Sequence, residues 1–458
     1  MSPRKRPTHF LGTPVTAPGP LGPQMLTAIG AIRRNPLLYL DSVWREYGDV
    51  VQFPIPRPPT YLVNDPAAVR KVLVGNSRNY GKSTIQYKAL SLVTGEGLLT
   101  ADTAAWRRQR PLVQPAFHHE TLDAVVEHVT STTRRLTEQW SALPDGSVID
   151  ADEYMMHAAL EVVGHALFGT DLSGNATVLT TATLDALDVV IARARVPLDP
   201  PSWLPTPGNR KLSRSVRQLD AAVQQMLSER SSRVGVGDKG PDMIDLLRES
   251  RDENGAALSE EEIRNEIVTF IVAGHETVAS ALSWAWSLLA RHPEIQDRVA
   301  LEADRVLGSG PATLENYREL TFTKAVFDET LRLYPPAWLI TRQSLGPDNL
   351  AGHEIPQGSL IIMSPWLLHR HLDVWPDAHE FDPDRFLRSY DREAFIPFGA
   401  GLRLCIGRDF SYVEGVLMLA EIARAFRFTA LDPAMPEGAP LVTIRPQGGS
   451  PVRITRRD

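Results

Sequence analysis

Cysteine is nearly absent from this chain: Cys405 is the only one among 458 residues. A single cysteine cannot form a disulfide within the chain, and the usual zinc sites need several cysteine ligands. The cysteine content therefore indicates neither an oxidising compartment nor structural zinc. A lone thiol can be buried and inert, reactive, or a ligand, and the residues around Cys405 must decide among these.

The chain also lacks an excess of positive charge. It has 48 Lys and Arg against 55 Asp and Glu, for a net charge of −7 and a sequence pI of about 6.0. This balance argues against a uniformly basic nucleic-acid-binding protein, so we expect no nucleic-acid partner. Hydrophobic residues at 43% and charged residues at 22% are ordinary for globular proteins, which excludes a wholly disordered or fibrous chain.

A targeting segment is missing as well. The basic residues at positions 4–6 are followed by prolines and not by the apolar run of a signal peptide. The most apolar stretch, residues 267–290, carries His275 and Glu276 near its centre, which a lipid-facing span would resist. We therefore expect a soluble, cytoplasmic protein without a membrane anchor.

The patterning predicts one large, mainly helical domain. Residues 1–35 form a proline-rich lead-in, and residues 36–458 are expected to form the domain. A β-rich part is expected near residues 49–63, which alternate like a hairpin around prolines, and near residues 335–365. Most of the remaining chain has helical periodicity.

The clearest predicted element is a long helix that begins after Ser259. Ser259 and Glu262 have the spacing of a capping box, and no proline follows until Pro293. A helix over residues 260–292 would measure about 50 Å at 1.5 Å per residue and would cross the domain. Its middle reads Ala-Gly-His-Glu-Thr at residues 273–277, which is poor core material. A polar interruption in a buried helix indicates a site.

The cysteine lies in a glycine-rich segment, Phe-Gly-Ala-Gly-Leu-Arg-Leu-Cys-Ile-Gly, at residues 398–407. Its glycines allow the backbone to approach a flat, bulky group, and the start of a following helix would stabilise a thiolate. The segment is neither a dinucleotide-binding fingerprint nor a P-loop. On this pattern alone, a glycine loop with a buried, inert thiol remains the alternative.

The same residues resemble the signature of a known family. Phe398, Gly401, Arg403, Cys405 and Gly407 match the FxxGxRxCxG motif of the cytochrome P450 family at every specified position. The resemblance implies the cytochrome P450 fold, mainly α with a small β region, in which a long central helix crosses the domain over the haem. It also implies haem b as the cofactor and the thiolate of Cys405 as the iron ligand, a ligation that favours O–O cleavage.

Two further motifs resemble those of the family. Glu329 and Arg332 look like its ExxR pair, which with Arg385 would form a buried charge network that holds the fold of the haem pocket. For the spacing alone, a surface ion pair is the alternative. Trp106 and Arg110 match WxxxR, whose indole N–H and guanidinium groups contact a haem propionate.

Arginine residues elsewhere are expected to bind propionates too. The resemblance gives this role to Arg403, within the cysteine motif, and to Arg342.

Residues 273–277 resemble the oxygen-binding stretch (A/G)Gx(D/E)T of the same family. Gly274 would leave room for a diatomic ligand, the hydroxyl of Thr277 would hydrogen-bond it, and the carboxylate of Glu276 would relay protons from water. A polar patch that faces solvent is the alternative. We interpret His275 as structural and not as a metal ligand.

The resemblance extends from about residue 35 to residue 455 and implies a monooxygenase. Such an enzyme inserts one atom of O2 into an apolar organic substrate, by hydroxylation or epoxidation of a lipid, terpenoid, steroid or polyketide. Electrons would come from NAD(P)H through a separate ferredoxin and ferredoxin reductase, because we recognise no reductase domain in the chain. By analogy with the family, the substrate pocket is lined by Leu98, Leu99, Ile271, Ala273, Ala337, Trp338 and Leu339.

Two other functions remain open at this point. A member of the same family can rearrange a peroxide or consume it as a peroxygenase, but such members tend to lose the acid and alcohol that Glu276 and Thr277 supply. A non-catalytic haem-based gas sensor would show no substrate-dependent change in its haem spectrum. Each proposed pocket residue can equally be an ordinary core side chain.

Overall fold

Helices dominate the described part of the chain. The computed structural model describes residues 14–55, 57–118, 121–170, 172, 176–194, 201, 203–232, 242–308 and 310–457, so residues 1–13 of the expected lead-in lie outside it. The helices are α1 (Gly22–Arg34), α2 (Pro36–Tyr47), α3 (Pro66–Arg70), α4 (Ile85–Thr94), α5 (Thr103–Val113), α6 (Leu122–Ser141), α7 (Ala151–Phe168), α8 (Ala176–Ala194), α9 (Pro207–Ser232), α10 (Met243–Glu249), α11 (Glu260–Leu289), α12 (Pro293–Leu307), α13 (Leu314–Glu319), α14 (Thr321–Leu333), α15 (Pro365–Leu368) and α16 (Arg408–Ala425).

The strands in the described part of the chain are short, and six of the twelve pair with the strand next to them in sequence. They are β1 (Val50–Phe53), β2 (Thr60–Val63), β3 (Tyr80–Gly81), β4 (Val148–Asp150), β5 (Ile340–Ser344), β6 (Asp348–Leu350), β7 (His353–Ile355), β8 (Leu360–Met363), β9 (Phe426–Ala430), β10 (Gly438–Pro440), β11 (Ile444–Pro446) and β12 (Pro451–Arg456). The predicted fold class, mainly α with a small β region, is confirmed.

The chain forms two compact units. Unit 1 comprises Met1–Lys88, Arg332–Glu380 and Tyr390–Cys405, and unit 2 comprises Ala89–Leu331, Phe381–Ser389 and Ile406–Asp458. The single domain expected over residues 36–458 stays a prediction.

Unit 1 is built on a five-stranded sheet in the order β1-β2-β8-β5-β3. β1 and β2 form an antiparallel hairpin in which Val50 pairs with Val63, and β2 runs parallel to β8. Tyr61, Ile361 and Met363 are fully buried in its core. The sheet therefore joins strands from two distant parts of the sequence through backbone pairing, and apolar side chains form its core.

The long helix α11 is central to unit 2. Ser259 caps its first turn, and Glu262 completes the predicted capping box. It ends at Leu289, three residues before the expected end at His292, and Pro293 is the first residue of α12. Trp286 stacks on Phe428 at 4.2 Å between ring centroids. Although α11 is long and apolar enough to span a membrane, 83% of its most apolar window is buried inside the protein.

Candidate functional site

Part of the surface of α11 is accessible at the middle of the helix, where the sequence motif predicts a site. In the fully described stretch of residues 265–290, every residue is buried except Ala273, Gly274 and Thr277. The spacing i, i+1, i+4 places these three residues on one side of the helix. The helix thus presents a small accessible patch, made of small and hydroxyl side chains, within an otherwise buried surface.

Within this patch, Thr277 and Gly274 have different surroundings. The Thr277 hydroxyl donates to the carbonyl of Ala273 at 2.7 Å, so its oxygen keeps lone pairs that can accept a hydrogen bond. A Cβ at Gly274 would lie 2.9 Å from Cγ2 of Val163, so this glycine lets α7 approach α11 closely. Its predicted role in leaving room for a diatomic ligand stays a prediction.

Glu276 is buried, with 1% of its surface exposed, and points to the β10–β11 hairpin. Its Oε1 accepts a hydrogen bond from the Thr443 hydroxyl at 2.9 Å. Burial raises the pKa of Glu276 to about 7, and the Thr443 hydrogen bond and the charge of Arg445 oppose that rise. A carboxyl with this pKa can gain and lose a proton near neutral pH.

His275 faces the protein interior and is structural in this arrangement. Its Nδ1 lies 2.7 Å from the carbonyl of Ile271, one turn earlier on α11. Burial lowers the pKa of His275 to about 4, so the ring is neutral and Nδ1 donates. No metal-binding cluster of His, Cys, Asp and Glu occurs among the described residues, and the interpretation that His275 is not a metal ligand stays a prediction.

Sequence reasoning did not find the residues that hold the hairpin against α11. Ser280 and Trp284 both donate to the carbonyl of Ile444, at 2.6 and 2.8 Å. Arg445 pairs with Asp152 of α7. These partners lie more than 100 residues apart in sequence, so no local spacing could have revealed them.

In unit 1, Cys405 ends a tightly folded loop. Its N–H donates to the carbonyl of Phe398 at 3.0 Å, and the side chain is exposed. Gly401 has φ +68°, and a Cβ there would lie 2.1 Å from the carbonyl oxygen of Leu73, so only glycine fits. The loop therefore presents the single thiol outward, and α16 begins three residues later, after Gly407.

Arg342 offers a buried positive charge in the same unit. It lies on β5 with 6% of its surface exposed, and its Nη1 donates to the carbonyl of Thr341 at 2.8 Å. No carboxylate pairs with it among the residues that the structure describes. A buried guanidinium without an anionic partner favours an anionic ligand, and a carboxylate is its best geometric match.

The other residues predicted to contact haem propionates lie on α5 and in the turn before the cysteine. Trp106 and Arg110 lie on α5 with the expected i, i+4 spacing, and both are half-buried. Arg403 is half-buried in the turn Gly401–Arg403, just before the cysteine. Their contact with a cofactor stays a prediction.

Contacts of residues in the predicted charge network are seen within each unit. In unit 2, Glu329 is fully buried and accepts from Nε of Arg385 at 3.2 Å and from the N–H of Asp382 at 3.0 Å. In unit 1, Arg332 is fully buried and donates to the carbonyls of His369, Ala378 and Glu380 at 2.7–3.0 Å. The ion pair and the carbonyl cage are structural contacts, and neither leaves a group free to react.

The proposed pocket residues differ in exposure. Leu98 and Trp338 are buried, Leu99, Ala273 and Leu339 are half-buried, and Ala337 is exposed. Ile271 is fully buried, which gives it a core role in this structure. Whether these residues line a substrate pocket stays a prediction.

Comparison with known proteins identifies the family. The cytochrome P450 family profile matches residues 17–450, and the chain belongs to this family. It is 35% identical over 402 residues to cyclooctatin synthase of Streptomyces melanosporofaciens, covering 86% of each chain. It is 34% identical over 431 residues to pentalenene oxygenase of Streptomyces avermitilis, covering 93% of this chain and 94% of the relative.

A third relative is cyclooctat-9-en-7-ol 5-monooxygenase of Streptomyces melanosporofaciens, 34% identical over 424 residues, covering 90% of this chain and 89% of the relative. The predicted family and the predicted enzyme class, a cytochrome P450 monooxygenase, are confirmed. Membership implies haem held by a cysteine thiolate, and Cys405 is the only cysteine available. Within unit 1, the exposed thiol of Cys405 and the buried guanidinium of Arg342 are groups of the kind that a haem needs.

Proposed function

We propose that the protein is a haem-thiolate monooxygenase of secondary metabolism whose substrate is a terpenoid. One relative is named as a monooxygenase of cyclooctat-9-en-7-ol and another as a pentalenene oxygenase, both terpenoid enzymes. The reaction converts a C–H bond of the substrate to C–OH, or a double bond to an epoxide. The second oxygen atom of O2 leaves as water, with two electrons and two protons consumed.

The observation that carries this proposal is the presentation of Cys405. The only thiol of the chain is exposed at the end of a loop that Gly401 and the Phe398 hydrogen bond hold in one conformation. The following helix, α16, begins at Arg408, and its N-terminal N–H groups favour a thiolate over a thiol.

The chain's own residues have separate tasks in this proposal. Bound haem supplies the redox centre at which O2 is activated. Cys405 holds the iron, while Arg342, Trp106, Arg110 and Arg403 orient the haem through its propionates. The buried state of Arg342 supports its part, because a propionate would supply the anion that no described side chain provides.

The accessible patch on α11 and the neighbouring Glu276 bind oxygen and deliver protons to it. The lone pairs of Thr277 accept a hydrogen bond at the accessible face, while Ala273 and Gly274 keep that face free of bulky side chains. Glu276, with a pKa of about 7, moves protons from the side of Thr443 towards that face. This intact acid–alcohol pair counts against a peroxide-using enzyme.

Electrons come from NAD(P)H through a separate ferredoxin and its reductase, and the protein acts in the cytoplasm without a membrane anchor. The burial of 83% of the apolar window of α11 supports this location. Arg107 of α5 is a candidate contact for the ferredoxin, since it is exposed and has no ion pair among the described residues.

The ligand assignment is tested with Cys405→Ser. We expect the reduced, CO-bound wild-type protein to show the long-wavelength Soret band of thiolate ligation and the variant to lose it, because serine cannot supply a thiolate. Circular dichroism of both proteins controls for folding. If the folded variant keeps the band, Cys405 is not the ligand.

The reaction is tested with isotopically labelled O2. Turnover of a terpenoid panel with NAD(P)H, ferredoxin and reductase should place one labelled oxygen atom in each product. A parallel incubation with unlabelled hydrogen peroxide and no electron donor should give little product. Efficient turnover with peroxide alone would instead identify a peroxygenase, and a substrate-insensitive haem spectrum would indicate a sensor.

A further inference from the structure

Two buried oxygens on α11 lack hydrogen-bond partners. Glu266 is 0% exposed and Thr269 is 2% exposed. Oε1 of Glu266 and Oγ1 of Thr269 have no partner among the residues that the structure describes. A buried polar atom without a partner costs free energy, so such atoms are rare in folded proteins. Two of them three residues apart on one helix indicate a binding site for a polar group.

These oxygens lie towards the same face of α11 as the accessible patch. Glu266, Ala273 and Thr277 are spaced i, i+7, i+11, which aligns them along the helix. The rise of 1.5 Å per residue puts Glu266 about 10 Å from Ala273 along the axis. Phe270 lies between them and contacts Phe117, with ring centroids 5.3 Å apart. Along this face, the polar residue Glu266 is therefore followed by the apolar Phe270 and then by Ala273 and Thr277 of the predicted oxygen-binding stretch.

The loop between α4 and α5 covers the two oxygens. The Leu98 N–H donates to Oε2 of Glu266 at 3.1 Å, which leaves only Oε1 unpartnered. A Cβ at Gly97 would lie 2.2 Å from Oγ1 of Thr269, so this glycine lets the loop backbone rest directly on α11. Leu98 itself is one of the predicted pocket residues.

We propose that Glu266 and Thr269 bind a hydroxyl group of the substrate, so that the enzyme acts on a terpenoid alcohol in preference to the parent hydrocarbon. This inference rests on the proposed function and names its substrate class. With oxygen activated beside Ala273, the new oxygen atom would be introduced on the order of 10 Å from the existing hydroxyl, a span that a multi-ring skeleton provides. An earlier hydroxylation, or a cyclisation that ends by capturing water, must supply this substrate.

The two side chains match the bonding capacity of an alcohol. An alcohol donates one hydrogen bond and accepts up to two, Thr269 can donate or accept, and a carboxyl oxygen accepts. Burial raises the pKa of Glu266 to about 7, with the charge of Glu262 adding to the rise and the Leu98 N–H opposing it. A carboxyl that is partly protonated at neutral pH can also donate, so the pair tolerates either orientation of the hydroxyl.

The test compares binding of alcohols and hydrocarbons that share a skeleton. Substrate-induced shifts of the haem Soret band give the Kd of cyclooctat-9-en-7-ol, of cedrol and of the parent hydrocarbon of each. We expect the wild-type holoenzyme to bind the preferred alcohol about 10- to 100-fold more tightly than its hydrocarbon. Thr269→Val and Glu266→Met should each remove most of this preference while leaving hydrocarbon binding nearly unchanged.

Matched variants separate recognition from folding. Thr269→Ser keeps the hydroxyl and should keep the preference, and Thr133→Val removes a hydroxyl that bonds its own helix on α6 and should have no effect on it. If Thr269→Val does not fold, Thr269→Ala replaces it. Equal binding of alcohol and hydrocarbon by the wild type, or a preference that survives Thr269→Val (or Thr269→Ala) and Glu266→Met, overturns the proposed hydroxyl site alone. If no terpenoid binds, the proposed substrate class is wrong, and the proposed hydroxyl site at Glu266 and Thr269 is wrong with it.

Discussion

Glu276 shows how one residue's surroundings set its chemistry. Its carboxyl is fully enclosed and has one hydrogen bond, from Thr443, which is not enough to stabilise the charged form at low pH. The pKa therefore rises from an ordinary 4.5 to about 7. The same burial that brings the pKa of Glu276 close to neutral also makes its ionisation costly for the fold.

This cost predicts how stability depends on pH. Because the pKa of Glu276 is higher in the folded state, its stabilising effect is fully present below about pH 4.5 and is lost as the pH rises through about 7. Relative to Glu276→Gln, the wild-type free energy of unfolding should fall by roughly 2 kcal/mol between about pH 5.5 and 8. Urea unfolding across this range measures the difference. A difference that does not vary with pH would contradict the raised pKa.

Thr277 allows a separate test of proton delivery. We expect Thr277→Ala to bind haem and substrate almost normally, because among the described residues its hydroxyl donates to the Ala273 carbonyl of its own helix. It should still consume NAD(P)H but form less product and more hydrogen peroxide, since the acceptor at the accessible face is gone. Product and peroxide are measured per NAD(P)H. Thr133→Ala is the control, and unchanged coupling in Thr277→Ala would place the proton path elsewhere.

At the scale of elements, the contact between α7 and α11 depends on Gly274. A Cβ there would lie 2.9 Å from Cγ2 of Val163, and a valine cannot swing away as a long side chain can. Gly274→Ala should therefore destabilise by about 1–3 kcal/mol through overpacking, partly offset by about 1 kcal/mol of helix propensity. Adding Val163→Ala should recover stability.

A double-mutant cycle measures this coupling. We expect the free energies of unfolding of the two variants to be non-additive by at least about 1 kcal/mol, because the two side chains share one space. Gly30→Ala on α1 is the control, since a Cβ there meets nothing within 4 Å. Additive effects at Gly274 and Val163 would show that the helices adjust without strain.

Elements with strong local signals were predictable from the sequence. The capping box of Ser259 and Glu262, strand β8 and the motif around Cys405 all depend on neighbouring residues, and spacing alone reveals them. The contacts of Thr443 and Arg445 could not be predicted, because they join residues far apart in the chain. The packing role of Gly274 was also missed, since a motif specifies a residue type and not which neighbour approaches it.

At the scale of the whole molecule, ion pairing changes which charges are available to a partner. Sequence reasoning suggests Arg107, Arg108 and Arg408 as a basic surface on a chain with net charge −7. The structure pairs Arg108 with Asp252 and Glu262, and Arg408 with Asp409. Among the described residues, Arg107 is therefore the one of the three without an ion pair, while local carboxylates partly offset the charges of Arg108 and Arg408.

Arg107 should therefore dominate any electrostatic attraction of an acidic ferredoxin. Encounter between opposite charges is screened over about 10 Å at 0.1 M salt, so ferredoxin-supported turnover should slow as ionic strength rises. Arg107→Glu should slow turnover several-fold at low salt and flatten the salt dependence, without changing the haem spectrum. Arg214→Glu, an exposed arginine on α9, is the matched control and should behave like the wild type. Salt-insensitive turnover, or equal effects of the two variants, would rule out docking at Arg107.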